Sequence, residues 1–443
     1  MTVCPLDFRY GRDEVKRMFS RESRLARYLQ VEAALARAQA EIGMIPRDAA
    51  EEIARAVEDG RVTPERVDEI ESEIRHDVMA VVVALAEECG DAGRYVHLGA
   101  TSYDIVDTAT ALQLKEYLGV LRRGLEALKD VLLDLAAEHR DTVMIGRTHG
   151  QHAVPITFGL KMTVFADEVD RHIHRLDGMA PRLLVGKMSG AVGSMAAMGP
   201  AGPDVEARAM GLLGLEPERA STQIVQRDRL VEFVSFCANV ATSIERFATE
   251  VRNLQRTEIG EISERFRTER QVGSSTMAQK RNPIMAENIS GLARTIRGFL
   301  VPAWEGAIQW HERDLSNSAS ERFIIPHVAI LLDDIVVKTA ALFRDLEVDV
   351  DRMRENLHLT GGRVMAERVI MALVERGMGR QEAHERVRRA AMADGDFLDA
   401  LLADESIARS MTADELRPLL DPTTYLGSSG LIVDRVVRAI RGG

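Results

Sequence analysis

Apolar residues recur along much of this chain at alternating steps of three and four. Ala111, Leu114, Leu118, Leu121, Leu125, Leu128, Leu132 and Leu135 keep that spacing, as do Leu230, Phe233, Cys237, Val240, Ile244, Phe247, Val251 and Leu254. Phe158, Met162, Phe165, Val169, Ile173 and Leu176 nearly keep it, and shorter runs follow at Met285–Phe299 and Val328–Leu346. A seven-residue apolar repeat holds one seam on one side of a slightly supercoiled helix. Five such runs predict an all-α chain built on a long-helix bundle. Leu133, Val234 and Val336 add apolar residues on a second face. That predicts burial on more than one side, and hence a bundle shared between subunits. A monomeric helical domain is the plainer alternative.

The flanking regions read differently. Leu25, Tyr28, Leu29, Leu35, Ala38 and Ile42 share a helical face that Gly43 ends, within a region expected to form short helices. Thr63-Pro64-Glu65 has the order of a helix start: a hydroxyl cap, a proline in the first turn, then an acid at the positive end. Residues 186–202, rich in Gly and Met, predict a loop or short hairpin between two long helices. From about Leu357 onward the helices should shorten. The expected division is 1–108, an N-terminal helical domain; 109–356, the long-helix bundle; and 357–443, a C-terminal helical domain.

Charge and composition narrow the function. The net charge of −12 argues against nucleic acid as a partner, because counterion release needs a basic face. An anionic small substrate remains compatible if Lys and Arg are gathered locally. No run of 18 apolar residues predicts a membrane span, and the first nine residues hold no signal-like stretch. Three cysteines, Cys4, Cys89 and Cys237, have no metal or redox spacing and suit a reducing cytoplasm.

Chemistry-bearing residues gather where the helical repeats break. The clusters are residues 75–77, 97–104, 146–152, 273–283 and 310–318, the last followed by Glu321 and Arg322. Histidine can hold or give a proton at working pH. Glycine beside Ser and Thr lets backbone N–H groups face a carboxylate or phosphate. Residues 274–283 read as a Gly-Ser loop ending in two cations, Lys280 and Arg281, able to close over an anion and exclude water. His149 and His152 lack the acidic or Cys partners a metal site needs, so neither metal nor cofactor is expected. Ser274 has no G-x-S-x-G context for nucleophilic catalysis.

Together the clusters are more specific than any one. The sequence Gly-Ser-Ser-x-Met-x-x-Lys-x-Asn-Pro at 273–283 resembles the signature loop of the fumarase/aspartase superfamily. Residues 147–153 and 310–318 are similar to the adenylosuccinate lyase branch, and Arg9-Tyr10 and residues 359–362 fit it too. Two places depart from that pattern: Ala278-Gln279 stands where Pro-His or Pro-Tyr is usual, and Tyr103 where a smaller polar residue is common.

The resemblance implies a three-domain helical fold, a homotetramer whose subunits share each site, and a β-elimination that releases fumarate from a succinylamino nucleotide. It implies Ser274 as base, with Lys280 and Asn282 on the carboxylate that takes up charge. His149 would be the acid, oriented by Glu287, and His76 would place the substrate. Thr101, Ser102 and Gln223 would hold the succinyl carboxylates. Arg9, Tyr10, Arg313, Ser318 and Arg322 would meet phosphate and ribose, with His97 nearby; Thr148 and Met277 complete the substrate contacts. Another lyase of this superfamily, acting on argininosuccinate, a substituted succinate or a carboxymuconate, is the alternative.

Overall fold

The computed structural model describes residues 3–266 and 275–442. The five heptad-like runs lie in helices Ser102–Glu138, Phe158–Leu183, Asp228–Leu254, Ile284–Gly298 and Ser316–Arg344. The N-terminal run is a single helix of 21 residues, Arg21–Glu41, rather than short pieces. Ser20 accepts from the Ser23 N–H at its start, and Gly43 turns the chain away at φ 81°. Thr63 caps Pro64–Ile74 through the Arg66 N–H. Beyond His358 the helices are short, with Ser429–Arg441 and Arg380–Met392 among the longer ones. Among the described residues, strands appear only as three two-stranded pairings.

The chain forms two compact units. The first comprises residues 1–125, 171–245 and 290–337. Its core joins Val31, Leu35 and Ala38 to Ile105, Ala109 and Leu112, and to Met188, Val205 and Met210. The last two belong to helix Gly202–Leu213, which follows the predicted 186–202 loop. That helix ends on Gly214 at φ 63°. Tyr117 is fully buried in this unit, edge-on to both Phe19 and Phe233.

The second unit comprises residues 126–170, 246–289 and 338–443. Phe165 stacks on Phe247 and meets Phe343 edge-on. A C-terminal cluster gathers Val369, Leu373, Val387, Phe397, Leu401 and Leu416. The hairpin of strands Val143–Thr148 and Gln151–Thr157 also belongs here, with a bulge between Ile145 and Arg147. A side chain at Gly146 would place its Cβ 2.7 Å from the Val154 carbonyl oxygen, so the bulge needs glycine.

Candidate functional site

Five non-glycine residues have left-handed backbone among those described: Arg75, His97, His149, Met195 and His311. Four of them lie in the polar clusters. That conformation is disfavoured for L-residues and concentrates at ligand sites and turns.

In the first unit, His76, Ser102, Arg313, Ser318 and Arg322 line one cleft of about 530 Å³. Arg24, Tyr28 and Arg75 line it too, along with the acids Glu71, Asp77 and Glu321. His76 caps helix Asp77–Glu88, its Nδ1 accepting the Met79 N–H at 3.2 Å. An accepting Nδ1 puts the ring proton on Nε2, so a neutral His76 offers the cleft a donor. Arg322 pairs with Asp77 at 2.6 Å. Arg313 donates through Nη1 to Gln223 Oε1 at 2.8 Å, and its guanidinium carbon sits 3.7 Å from the centre of the Tyr103 ring. Gln223 Nε2 in turn donates to the Ala191 carbonyl at 2.9 Å. Burial pushes the Tyr28 phenol up to about 12.

Behind this cleft lie buried ion networks. Arg227 is forked onto Asp107, at 2.8 and 2.9 Å, and onto Glu321, at 2.8 and 3.2 Å. Burial lowers the Arg227 pKa less than the two carboxylates raise it, so the net shift is upward. Asp104 and Lys187 pair with no exposed surface, and Asp104 also accepts the Thr101 N–H at 2.8 Å. Thr101 is thereby tied into the first turn of the Ser102–Glu138 helix.

His97 Nδ1 meets Glu32 Oε1 at 2.6 Å, with Glu32 buried. Burial pulls the imidazole pKa down, but the hydrogen bond and charge of Glu32 outweigh it, and the net shift is upward. His97 is therefore expected to stabilise the fold fully below its unfolded pKa near ~6.5, and to lose that contribution as pH rises through the raised folded value. In denaturation series from pH 6 to 9, the stability gap between wild type and Glu32→Gln should narrow upward from there. A gap constant across the range would assign the effect to something other than this imidazole. Arg9 is exposed on the turn of residues 5–9, where its N–H bonds the Pro5 carbonyl, with Tyr10 beside it.

In the second unit, Met277, Lys280, Asn282 and Glu287 line a cleft of about 880 Å³ with Arg252, Arg256 and Arg281. Ser274 lies outside the described residues. The chain on either side is anchored. Glu264 accepts the Met285 and Ala286 N–H groups at 3.1 and 2.7 Å, capping helix Ile284–Gly298. Gln255 accepts the Glu264 N–H and donates to the Arg281 carbonyl. Burial raises the Glu264 pKa despite the two N–H donors.

Thr148 and His149 stand at the exposed end of the hairpin. His149 and Gly150, with φ of 55° and 75°, form its two-residue turn, the arrangement expected where both central residues are left-handed. The stem is fixed by Arg147, forked onto the buried Glu261 at 2.9 and 2.7 Å, and by Asn356, which donates to the same carboxylate. The His152 pKa is lowered by burial and by the Arg147 charge.

Of the predicted site residues, His76, Ser102, Arg313, Ser318 and Arg322 line the first cleft and Met277, Lys280, Asn282 and Glu287 the second, whereas the sequence reading did not single out Arg24 and Tyr28 of the first cleft or the buried Lys187 and Arg227. Asp104 and Asp107 carried the available signal: two acids one turn apart beside a small-residue motif call for buried cations. Among the described residues, no group of three or more His, Cys, Asp or Glu could hold a metal ion, and no helix is long and apolar enough to cross a membrane.

Two family models match the chain, one described as "Lyase" over residues 7–298 and one as "Adenylosuccinate lyase C-terminus" over 362–436. The adenylosuccinate lyase of Methanothermobacter thermautotrophicus is 48% identical, over 99% of this chain and 98% of that one. Among solved structures, a fumarate lyase from a Mesorhizobium species superposes with a TM-score of 0.88 at 36% identity, covering 96% of this chain and 98% of its own. A 3-carboxy-cis,cis-muconate lactonizing enzyme from Pseudomonas putida gives 0.88 at 34% identity, with 99% of each chain covered.

Proposed function

The chain belongs to the adenylosuccinate lyase family, with the all-α fold of the fumarase/aspartase superfamily, and from that premise we propose that it splits adenylosuccinate into AMP and fumarate in the cytoplasm, and the succinylaminoimidazole carboxamide ribotide likewise. The observation that carries this reading is a cleft in an acidic chain that draws His76, Ser102, Arg313, Ser318 and Arg322 together from three separate segments. Guanidinium groups suit a phosphate through paired, charge-assisted donors.

The reaction removes a proton from the carbon beside one succinyl carboxylate and breaks the carbon–nitrogen bond next to it. Charge developing in that carboxylate needs fixed donors. Lys280 and Asn282 supply them, Ser274 takes the proton, and His149 delivers one to the departing nitrogen, oriented by Glu287. His76 holds the substrate through Nε2–H. The direct test is an ultraviolet assay with adenylosuccinate, in which fumarate and AMP should appear in equal amounts. Release of neither product would defeat the reading.

We further propose that the active form is a homotetramer in which subunits share each site. It rests on the family membership rather than on the second apolar faces, because Leu133, Val234 and Val336 are already buried within one chain. Sizing coupled to assay should find activity in the tetramer peak alone, and turnover by a monomer peak would remove the proposal.

A further inference from the structure

We propose that Tyr103 is a positioning residue for the phosphate end of the substrate, presenting Arg313 and Ser318 as one preformed anion grip. The proposal rests on the reading above that those two side chains face the phosphate.

Tyr103 sits in the first turn of the Ser102–Glu138 helix and is only 7% exposed, yet it borders the cleft. Its ring lies against the Arg313 guanidinium, 3.7 Å from ring centre to Cζ, and Arg227 approaches the same ring at 5.5 Å. Its hydroxyl bonds the Ser318 hydroxyl. Gln223 holds one edge of Arg313, while Arg313 Nε is buried without a protein partner among the described residues. A guanidinium with one face on a ring and one edge on an amide has lost most of its rotamer freedom before any ligand arrives. Its remaining donors can therefore meet an anion at little further entropic cost. Tyr103 also biases the direction of the Ser318 proton. Either hydroxyl can donate in that bond, and the greater acidity of a phenol favours the arrangement in which Tyr103 donates and the Ser318 oxygen accepts. The Ser318 proton is then free to donate to an acceptor in the cleft, and a phosphate oxygen is one. A smaller side chain could neither cover the guanidinium nor reach Ser318.

Two variants of the full-length protein separate the two contacts. Tyr103→Phe keeps the ring and removes the hydroxyl; Tyr103→Leu removes both. The readouts are KM and kcat for adenylosuccinate, and inhibition constants for AMP and for adenosine, which lacks the phosphate. Tyr103→Phe should raise both KM and the AMP constant by about fivefold, and Tyr103→Leu by about thirtyfold, the sizes expected for one hydrogen bond and for that bond plus a cation–π contact. The adenosine constant should stay within about twofold in both, and kcat should fall far less than KM rises. AMP and adenosine weakening in parallel, or kcat falling at constant KM, would overturn the proposal. A wild-type protein that cleaves adenylosuccinate but whose AMP preference Tyr103→Leu leaves intact overturns this proposal alone. A wild-type protein that neither cleaves adenylosuccinate nor prefers AMP to adenosine overturns the functional reading, and this inference with it.

Discussion

Replacing His149 is expected to lower the turnover of adenylosuccinate by at least ~10², the loss typical of removing a general acid, while leaving the fold nearly intact. The hairpin explains the second half of that expectation. His149 is exposed at the tip, and the stem is held by the Arg147–Glu261 fork and by Asn356, not by the imidazole. The turn does constrain the choice of substitution, because residue 149 has φ 55°. Histidine already carries the strain of a left-handed L-residue there, so alanine adds little to it, whereas asparagine tolerates that region better than either. His149→Asn is therefore the cleaner variant, and His149→Ala should add at most a small loss of thermal stability to the same loss of turnover. The check is kcat at saturating adenylosuccinate beside a thermal melt. Near-wild-type turnover in His149→Asn would remove the histidine from the mechanism. Ser274→Ala should lose a comparable factor, and that expectation rests on the sequence motif, since Ser274 lies outside the described residues.

The long helices were legible because a buried seam must repeat every seven residues, and Leu114 to Leu135 or Leu230 to Leu254 leave no other period to choose. The hairpin that carries His149 was not. Its strands hold six and seven residues, one interrupted by a bulge at Gly146 and the other containing Pro155, so the two-residue alternation that marks a strand is broken in both. The His149-Gly150 pair was the surviving clue, since glycine second in a two-residue turn marks a hairpin. Helix Gly202–Leu213 was hidden for a similar reason: it has Pro203 near its start and lies against a Gly-rich loop.

The site was legible as residue types but not as a place. The family resemblance named His76, Ser102, Arg313, Ser318 and Arg322, and nothing local in the sequence says that they share a cleft. Their supports were less visible still. Asp107 finds Arg227, and Asp104 finds Lys187, across long stretches of chain. Such pairs leave no periodic trace, because each needs only one residue of each sign at the right point in space. Tyr103 shows the same limit. As a departure from the family pattern it was visible, but its contacts with Arg313 and Ser318 exist only once the 97–104 and 310–318 segments meet.

The largest loss of stability is expected from Lys187→Met. Lys187 and Asp104 are both fully buried, and their ion pair lies at the centre of a dense set of bonds. Asp104 also accepts N–H groups from Ser189 at 2.9 Å and Gly190 at 3.1 Å, while Thr108 both accepts the Lys187 N–H and donates to its carbonyl. Removing the ammonium leaves a carboxylate in the interior facing only backbone donors. Breaking one side of a buried pair costs about 3–5 kcal/mol, far more than an exposed pair, because the remaining charge stays desolvated. Asp104→Asn alone should cost a similar amount, since it strands the ammonium. The double variant Lys187→Met/Asp104→Asn should lose less than the sum of the two, because no buried charge remains, and that coupling identifies the mechanism. Denaturant unfolding of the four proteins gives the cycle. A Lys187→Met loss below about 1 kcal/mol, or strict additivity in the double variant, would show that water reaches the pair and that the loop of residues 187–190 is held by its backbone bonds instead.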